Sequence, residues 1–275
     1  MSFLSTVGMA LVFPVLPFLV GAHVGDAGST ALWVGALEAV YAACAFVAAP
    51  FLGALSDRIG RRPVLIVSLI GSAIGWVMFG LGGALWVLLL ARVIDGLTAG
   101  DMSVAFAYLA DITTPEDRAR RFGLAGAIGG VGFLVGPAIG GLLASVSLAA
   151  PMLAAAAVSL VTAILAAVVL PESLDDERRT KRLSLSDINP LSSIGDAVRR
   201  PGLGPLILVF ALAAVPLALF GGNVPVFTMD VLSWNTVEVG LLMSAVGIVD
   251  IIVQGGLLAV ALRLMGERGI VLAGL

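Results

Sequence analysis

The sequence has few charges and almost none of the residues that disulfides and metal sites use. Charged residues make up 12% of its 275 residues, the net charge is −3, and there is one cysteine, Cys44, and one histidine, His23. A soluble domain carries about 25% charged residues, so this chain could not cover a water-facing surface. The single cysteine excludes a disulfide scaffold, and the small negative charge excludes a nucleic-acid-binding domain.

Long apolar runs occupy most of the chain instead. Hydrophobic residues make up 60% of it and the mean hydropathy is +1.11. A helix needs about 20 apolar residues to cross a bilayer, and eight runs meet that length: 2–22, 31–53, 63–82, 85–108, 122–144, 149–170, 203–228 and 237–260. A ninth opens at Gly269. Because the runs are continuous rather than alternating, they predict spanning helices.

The basic residues predict which loops face the cytoplasm. Fourteen of the 15 Lys and Arg lie in alternate loops, after the second, fourth, sixth and eighth spans. By the positive-inside rule those loops are cytoplasmic, and we expect the N-terminus on the same side. The remaining basic residue, Arg92, lies inside the fourth span.

A polar segment divides the spans into two sets. Its mixed-sign charges and its Asn189-Pro190 step are typical of a solvated linker. We therefore predict a six-helix N-terminal bundle over 1–170, a cytoplasmic linker over 171–202 and a partial C-terminal bundle over 203–275. The turns after spans 2 and 8 also align, with Gly60 on Gly266 and Arg62 on Arg268. Parallel repeats of this kind are a transporter architecture, so we expect an incomplete carrier.

The turn after span 2 carries the most specific motif, GALSDRIGRR from Gly53 to Arg62. It resembles the signature turn between the second and third helices of the major facilitator superfamily. The resemblance implies that Asp57 meets a helix terminus of the other half and that Arg61 pairs with Asp111, holding the inward side shut. The alternative is that these charges only set topology. The implied gating residues are Gly53, Asp57, Arg58, Gly60, Arg61, Arg62 and Asp111.

Span 5 contains GFLVGPAIGG, which resembles the motif of the antiporter branches of that superfamily. Glycines at every fourth position form a groove for close helix packing, and a proline bends the helix. The alternative is ordinary packing of small residues. The motif residues are Gly132, Gly136, Pro137, Gly140 and Gly141.

Span 4 contains LLLARVIDG, which resembles the buried-arginine motif of the superfamily. An arginine at mid-membrane costs about 2.5–3.5 kcal/mol on insertion scales, so Arg92 must face a cavity or a partner. Asp95 lies three residues on and so on the same helix face. The resemblance implicates this arginine in proton handling, and the alternative is a static buried ion pair.

Four acids lie inside predicted spans, and acids in a membrane mark ion or proton paths. Asp101 is nine residues from Arg92, about half a turn round a continuous helix, so it needs a different partner. Each acid could instead form a polar wall that does not titrate. The predicted proton-coupling and substrate path consists of Arg92, Asp95, Asp250, Glu38, Asp101 and Gln254.

Taken as a whole, the chain is similar to the tetracycline-efflux-like group of drug:proton antiporters. The resemblance implies an all-α integral membrane fold with a six-helix N-terminal half, about two further helices and the start of a third. It also implies a multi-pass inner-membrane location and proton-coupled efflux of a small amphipathic compound by alternating access. The alternatives are a sugar or organic-acid carrier of the same superfamily, or a truncated fragment that does not transport.

No enzyme activity, cofactor or metal is expected, and the expected partners are a small-molecule substrate, protons and membrane lipids, with no nucleic acid. The sequence departs from the group where the group has a helix-8 histidine and this chain has Asp250, and at two positions where the group has acids. The group carries acids in its first and third helices, where this chain has Ser5 and Gly75. The substrate of the group, tetracycline, is therefore not carried over directly.

Overall fold

A computed structural model describes residues 2–175, 177, 179, 189–200, 202–253, 264–266 and 269. Within these ranges the regular secondary structure is helical, which confirms the all-α prediction. The helices are α1 (Ser2–Val12), α2 (Leu16–Gly21), α3 (Ala27–Ile59), α4 (Arg61–Leu81), α5 (Leu85–Leu97), α6 (Asp101–Asp111), α7 (Arg118–Ala144), α8 (Ala150–Val169), α9 (Pro190–Arg199), α10 (Leu203–Asp230) and α11 (Thr236–Ile252).

Six helical stretches of the described chain are long and apolar enough to cross a bilayer: Phe3–Gly21, Gly28–Ile59, Arg61–Leu81, Arg120–Ala144, Ala150–Val169 and Leu203–Asp230. They match six of the eight predicted spans. The predicted fourth span is not one helix, because Thr98, Ala99 and Gly100 separate α5 from α6. The predicted eighth span is α11 as far as Ile252, and its continuation lies outside the described residues.

The first and second spans differ in detail from the prediction for local reasons. Span 1 breaks between α1 and α2 around Pro14, because a proline removes a backbone donor and clashes with the preceding turn. The second span begins at Ala27 rather than at residue 31, since the Asp26 carboxylate accepts a hydrogen bond of 2.8 Å from the Ser29 N–H and caps the helix.

The N-terminal helices pack into one bundle. Pairs α1–α7, α1–α8, α4–α8 and α3–α5 bury a core that includes Leu11, Val15, Phe79, Leu88 and Met152. The second half joins it through α11, which packs along α7, and through α10, which contacts α2 and α3.

The predicted linker contains a helix of its own. Asn189 caps α9 by accepting a 3.0 Å hydrogen bond from the Leu191 N–H, and α9 contacts α3 and α10. Leu191, Ile194 and Val198 on this helix are exposed. Residues 180–188 of the linker lie outside the described part, and the domain division at 171–202 stays a prediction.

Candidate functional site

Arg92 on α5 forms the centre of a buried charge cluster. Its Nη2 donates to Glu38 Oε1 on α3 at 2.7 Å, and its Nη1 lies 3.7 Å from Asp95 Oδ2. Only 7% of the arginine side chain is exposed, against 39% for Glu38 and 8% for Asp95. The predicted Arg92–Asp95 contact is present, and Glu38 joins it from a different helix.

Three aromatic rings surround the same guanidinium. Its Cζ lies 4.9 Å from the ring centroid of Phe79, 5.4 Å from that of Trp76 and 5.5 Å from that of Tyr41. A desolvated cation–π contact contributes up to about 2 kcal/mol, so these rings help to offset the burial of Arg92. The Nε of Arg92 is buried and has no hydrogen-bond partner among the described atoms.

The break in span 4 decides where Asp101 lies. Gly100, the residue before α6, lies close to α3 and α4, since a Cβ there would lie 2.8 Å from Leu52 Cδ1 and 2.9 Å from Ser68 Oγ. Because the helix is interrupted, the half-turn separation expected from Arg92 does not apply, and Asp101 lines the same cavity as Arg92. Asp101 was predicted to lie on the same path as Arg92, and it does line this cavity. Asp101 does have different partners, the Ser5 hydroxyl and the backbone N–H groups of Asp101 and Met102 at the start of α6.

The cavity has a volume of about 340 Å³ and lies within the N-terminal bundle. Four of the six predicted path residues line it: Glu38, Arg92, Asp95 and Asp101. Uncharged polar side chains and aromatic rings complete its wall, among them Ser5, Thr6, Phe13, Tyr41, Ser72 and Trp76. Of the other two path residues, Asp250 lies on α11 with its side chain outside the described part, and Gln254 lies wholly outside it.

The two positions at which the resembled group carries an acid, Ser5 and Gly75 here, each lie beside one of these acids. Ser5 contacts Asp101, as described above. Gly75 on α4 faces α5 so closely that a Cβ would lie 3.0 Å from the Cβ of Asp95. Sequence reasoning treated these departures as lost acids and did not place Asp95 and Asp101 beside them.

The predicted gating residues gather at the turn between α3 and α4. Arg61 Nε donates to Asp111 Oδ2 at 3.0 Å, and its Nη2 lies 2.5 Å from Asp57 Oδ1. Its Nη1 also donates to Ser56 Oγ at 2.7 Å. Arg61 therefore ties α3 and α4 to the end of α6. Of the other gating residues, Gly53 lies within α3 with open space where a Cβ would be, and Arg58 is exposed.

Sequence reasoning missed a carboxylate at this turn, Glu172. It accepts from the backbone N–H groups of Arg61 at 2.8 Å and Arg62 at 3.2 Å, the first residues of α4. An anion is favourable at a helix N-terminus, and α4 has no acidic residue of its own in its first turn. Gly60, with φ 110°, leaves the space that the carboxylate fills, since a Cβ there would overlap it. The sequence signal for such a partner was the absence of an acidic residue from the first turn of α4, which leaves its N–H groups to an acid from another segment.

Arg62 joins this turn to the C-terminal end of α8. Its guanidinium donates to the carbonyl oxygens of Ala166 and Ala167, near the C-terminal end of α8. A cation at a helix C-terminus complements the exposed carbonyl groups. The α3–α4 turn is thus bonded to α6, to α8 and to the segment that follows α8.

The glycines of the span 5 motif lie on two faces of α7. A Cβ at Gly132 would lie 2.9 Å from Phe3 O, one at Gly136 would lie 2.5 Å from Ala10 Cβ, and Gly140 lies against Leu11. These three glycines therefore allow α1 to pack closely against α7.

The other face of α7 meets α11 in the second half. Thr236 Oγ1 donates to Gly141 O at 3.1 Å, and the Ala138 N–H donates to Ser244 Oγ at 3.1 Å, one residue after Pro137. Gly240 lies against the Pro137 carbonyl. Polar bonds and glycine contacts thus join the two halves along the motif.

Comparison with known proteins identifies the family to which this architecture belongs. The sequence matches the Major Facilitator Superfamily over residues 1–275. The chain belongs to the major facilitator superfamily. It is 40% identical to the class C tetracycline resistance protein of Escherichia coli over 99% of this chain and 68% of that protein, and 37% identical to the class G protein of Vibrio anguillarum over the same shares. These relatives support membership of the drug-efflux group within the superfamily.

The fold agrees with a solved structure of a superfamily transporter. The human organic anion transporter MFSD10 (TETRAN) superposes with a TM-score of 0.71 at 22% identity, over 93% of this chain and 69% of that one. The chain is therefore a multi-pass membrane protein with a transporter fold, and it spans about two thirds of the length of these relatives.

Proposed function

We propose that this protein is a secondary transporter of the inner membrane that exports a small amphipathic compound in exchange for protons. The observation that carries the proposal is the cavity around Arg92, which is lined by Glu38 of the spanning helix α3 and by Asp95 and Asp101 of the interrupted fourth predicted span. Charged groups within a membrane are costly and are typical of proton or substrate paths. The tetracycline resistance relatives support efflux as the direction of transport.

Proton exchange follows from the pairing of Arg92. When a carboxylate beside the guanidinium takes up a proton, it loses its charge and its attraction for Arg92, so the arginine shifts toward the carboxylates that remain ionised. Release of the proton on the other side of the membrane restores the first arrangement. Each proton that moves down a potential of 100 mV supplies about 2.3 kcal/mol, which drives export without a nucleotide.

Two features are proposed to serve alternating access: the contact between the two halves, and the hydrogen-bonded turn between α3 and α4. The α7–α11 packing joins the halves, while the bonds of Asp57, Arg61 and Asp111 hold the α3–α4 turn at the predicted cytoplasmic side. Asp250 and Gln254 of the second half are proposed to complete the path. Rocking of one half against the other would then expose the cavity to each side in turn.

The test is transport in everted membrane vesicles that contain the protein. Tetracycline, norfloxacin and chloramphenicol serve as efflux probes, with xylose and lactate as probes for a metabolite carrier, and a fluorescent dye reports proton movement. We expect uptake of at least one efflux probe, coupled to proton release and abolished by a protonophore. Uptake that survives the protonophore would contradict proton coupling, and uptake of only xylose or lactate would contradict drug efflux.

Asp95→Asn tests the residue assignment. This change removes a charge from the Arg92 cluster, so we expect probe-dependent proton movement to be lost while the protein remains in the membrane. Asp117→Asn is the matched control, because Asp117 is exposed at the start of α7 and its side chain makes no capping bond. Equal proton coupling in both variants would remove Asp95 from the coupling path.

A further inference from the structure

Helix α9 of the linker has an apolar face that is exposed in the described structure. Leu191, Ile194 and Val198 are 70%, 44% and 48% exposed. At 3.6 residues per turn these three positions lie within about 60° of one another around the helix, so they form one stripe. Ser192 and Arg199 lie on the other half of the helix. The helix is therefore amphipathic, although the linker that contains it is polar.

The end of α9 contacts the start of a membrane-spanning helix. The stretch Leu203–Asp230 of α10 is long and apolar enough to cross a bilayer. A Cβ on Gly204 would lie 3.2 Å from Val198 O and 3.6 Å from Val198 Cγ1. The Leu203 N–H also donates to Arg200 O at 3.1 Å. Because the two helices touch at this turn, the end of α9 lies where α10 enters the bilayer.

Two arginines lie at the same level. Arg199 ends α9 and Arg200 is its C-cap residue. Both are exposed, and neither side chain forms an ion pair or a hydrogen bond within the described part of the chain. From Asn189 to Arg200 the sequence has these two arginines and one acid, Asp196, which gives a net charge of +1. The segment therefore complements a surface that carries negative charge.

A bilayer surface matches both the apolar stripe and the charge. On the neighbouring helix Leu206 and Phe210 are exposed, so the exposed apolar surface of α9 continues onto the span. An amphipathic helix with basic residues on its polar side lies in the membrane interface, with its apolar side chains at the acyl boundary and its charges among the headgroups. Anionic lipids attract basic residues next to a span, by about 1 kcal/mol for each residue.

We propose that α9 is a membrane-surface anchor that binds anionic phospholipids of the predicted cytoplasmic leaflet. Leu191, Ile194 and Val198 insert at the boundary between headgroups and acyl chains, while Arg199 and Arg200 bind the headgroup phosphates. The anchor holds the linker between the two halves on the membrane. This interaction goes beyond the proposed function, since it depends neither on the exported compound nor on proton coupling.

Spin labelling of the full chain in vesicles of phosphatidylcholine and phosphatidylglycerol tests the insertion. In a Cys44→Ala background, one label is attached through Ile194→Cys, in the stripe, and the matched control label through Ser192→Cys, on the other half of the helix. Collisions are measured with oxygen, which concentrates in the bilayer, and with a water-soluble nickel chelate. We expect the label at position 194 to collide more with oxygen and the label at position 192 more with the chelate.

Two results of this measurement would overturn the proposal. Collision with the chelate as often at position 194 as at position 192 would show that the stripe faces water. Shielding of position 194 from both reagents would show that protein covers the stripe, from another segment of this chain, a second copy or a partner protein.

Fluorescence quenching tests the preference for anionic lipid. A bimane fluorophore at position 194 is quenched by brominated phosphatidylglycerol or by brominated phosphatidylcholine at equal mole fraction. We expect phosphatidylglycerol to associate with this site about fivefold more strongly, the factor that corresponds to the ~1 kcal/mol of one arginine. The double variant Arg199→Gln with Arg200→Gln should lose this preference. Equal quenching by the two lipids before the arginines are replaced would overturn the proposal.

A second pair of arginines is the matched control. Arg120→Gln with Arg121→Gln also removes two adjacent exposed arginines, from the first turns of α7, and should leave the preference at position 194 unchanged. An equal loss in both double variants would overturn the assignment to α9. If the Arg199→Gln, Arg200→Gln variant fails to fold, added salt tests the same charges in the otherwise unmodified chain. The preference should fall as salt screens the arginines, and a preference that salt does not change would contradict their role.

Discussion

Replacement of Gly60 by alanine tests the structure of the α3–α4 turn most directly. Gly60 has φ 110° and ψ 157°, a region that is essentially restricted to glycine. Backbone strain of this kind costs about 1–3 kcal/mol. A Cβ would also overlap the Glu172 carboxylate and displace it from the N–H groups of Arg61 and Arg62. One lost hydrogen bond to a charged group adds about 1.5–3 kcal/mol.

We therefore expect Gly60→Ala to lower the free energy of unfolding by about 2.5–6 kcal/mol. Thermal unfolding of the purified protein in detergent measures this with a thiol-reactive fluorophore, because Cys44 is the single cysteine and is partly buried. Each kcal/mol changes the Tm by about 2–4 °C in a chain of this size.

Two other glycines separate the contributions. Gly82 also has a positive φ, 65°, but open space where a Cβ would be, so Gly82→Ala should show the strain alone, about 1–3 kcal/mol. Gly53 lies inside α3 with open space, so Gly53→Ala should leave the Tm unchanged or slightly raised. Removal of the carboxylate by Glu172→Ala should reduce the effect of Gly60→Ala to that of Gly82→Ala. Equal Tm values for Gly60→Ala and Gly82→Ala in the unmodified background would refute the reasoning.

Two further changes test a helix contact and a helix cap. Ser244→Ala removes the acceptor of the Ala138 N–H and should destabilise the protein by about 0.6–1.5 kcal/mol. Ser103→Ala is the control and should destabilise the protein less, because the Ser103 hydroxyl donates locally to the carbonyl of Gly100 just before α6. Equal unfolding curves for the two variants would contradict the helix contact. The Ser29 N–H lowers the pKa of Asp26, so this carboxylate stabilises the fold above its ordinary pKa of about 4. That stabilisation should fade as the pH falls through the lowered pKa, so the Tm difference from Asp26→Ala should vanish in acid, and a difference that persists at all pH values would contradict the cap.

The sequence predicts the helices well because the membrane imposes a length requirement. An apolar run of about 20 residues has few folded alternatives to a spanning helix, and six predicted spans appear with shifts of a few residues at most of their ends. Gly60 and Gly266, which the repeat alignment pairs, both have a positive φ. Local periodicity and glycine chemistry are sufficient for these features.

The arrangement of the site depends on interruptions and long-range contacts that periodicity does not report. A helical-wheel argument places Asp101 on the opposite face from Arg92, but it assumes a continuous helix through Thr98–Gly100. The close approach of Gly100 to Leu52 and Ser68 interrupts that helix. Glu172 lies 111 residues from the backbone group that it caps, so only the tertiary fold brings the two together.

The position of an acid in a membrane cavity depends on the space that its carboxylate occupies rather than on the helix that carries it. Ser5 and Gly75 carry no charge, yet each directly adjoins an acid of the fourth span, Asp101 or Asp95. A carboxylate added at either position would lie against one already present, and two such charges in a low-dielectric cavity repel each other strongly. The small side chains on α1 and α4 and the acids on α5 and α6 are therefore mutually dependent, and a comparison of this chain with its relatives has to consider both members of each pair together.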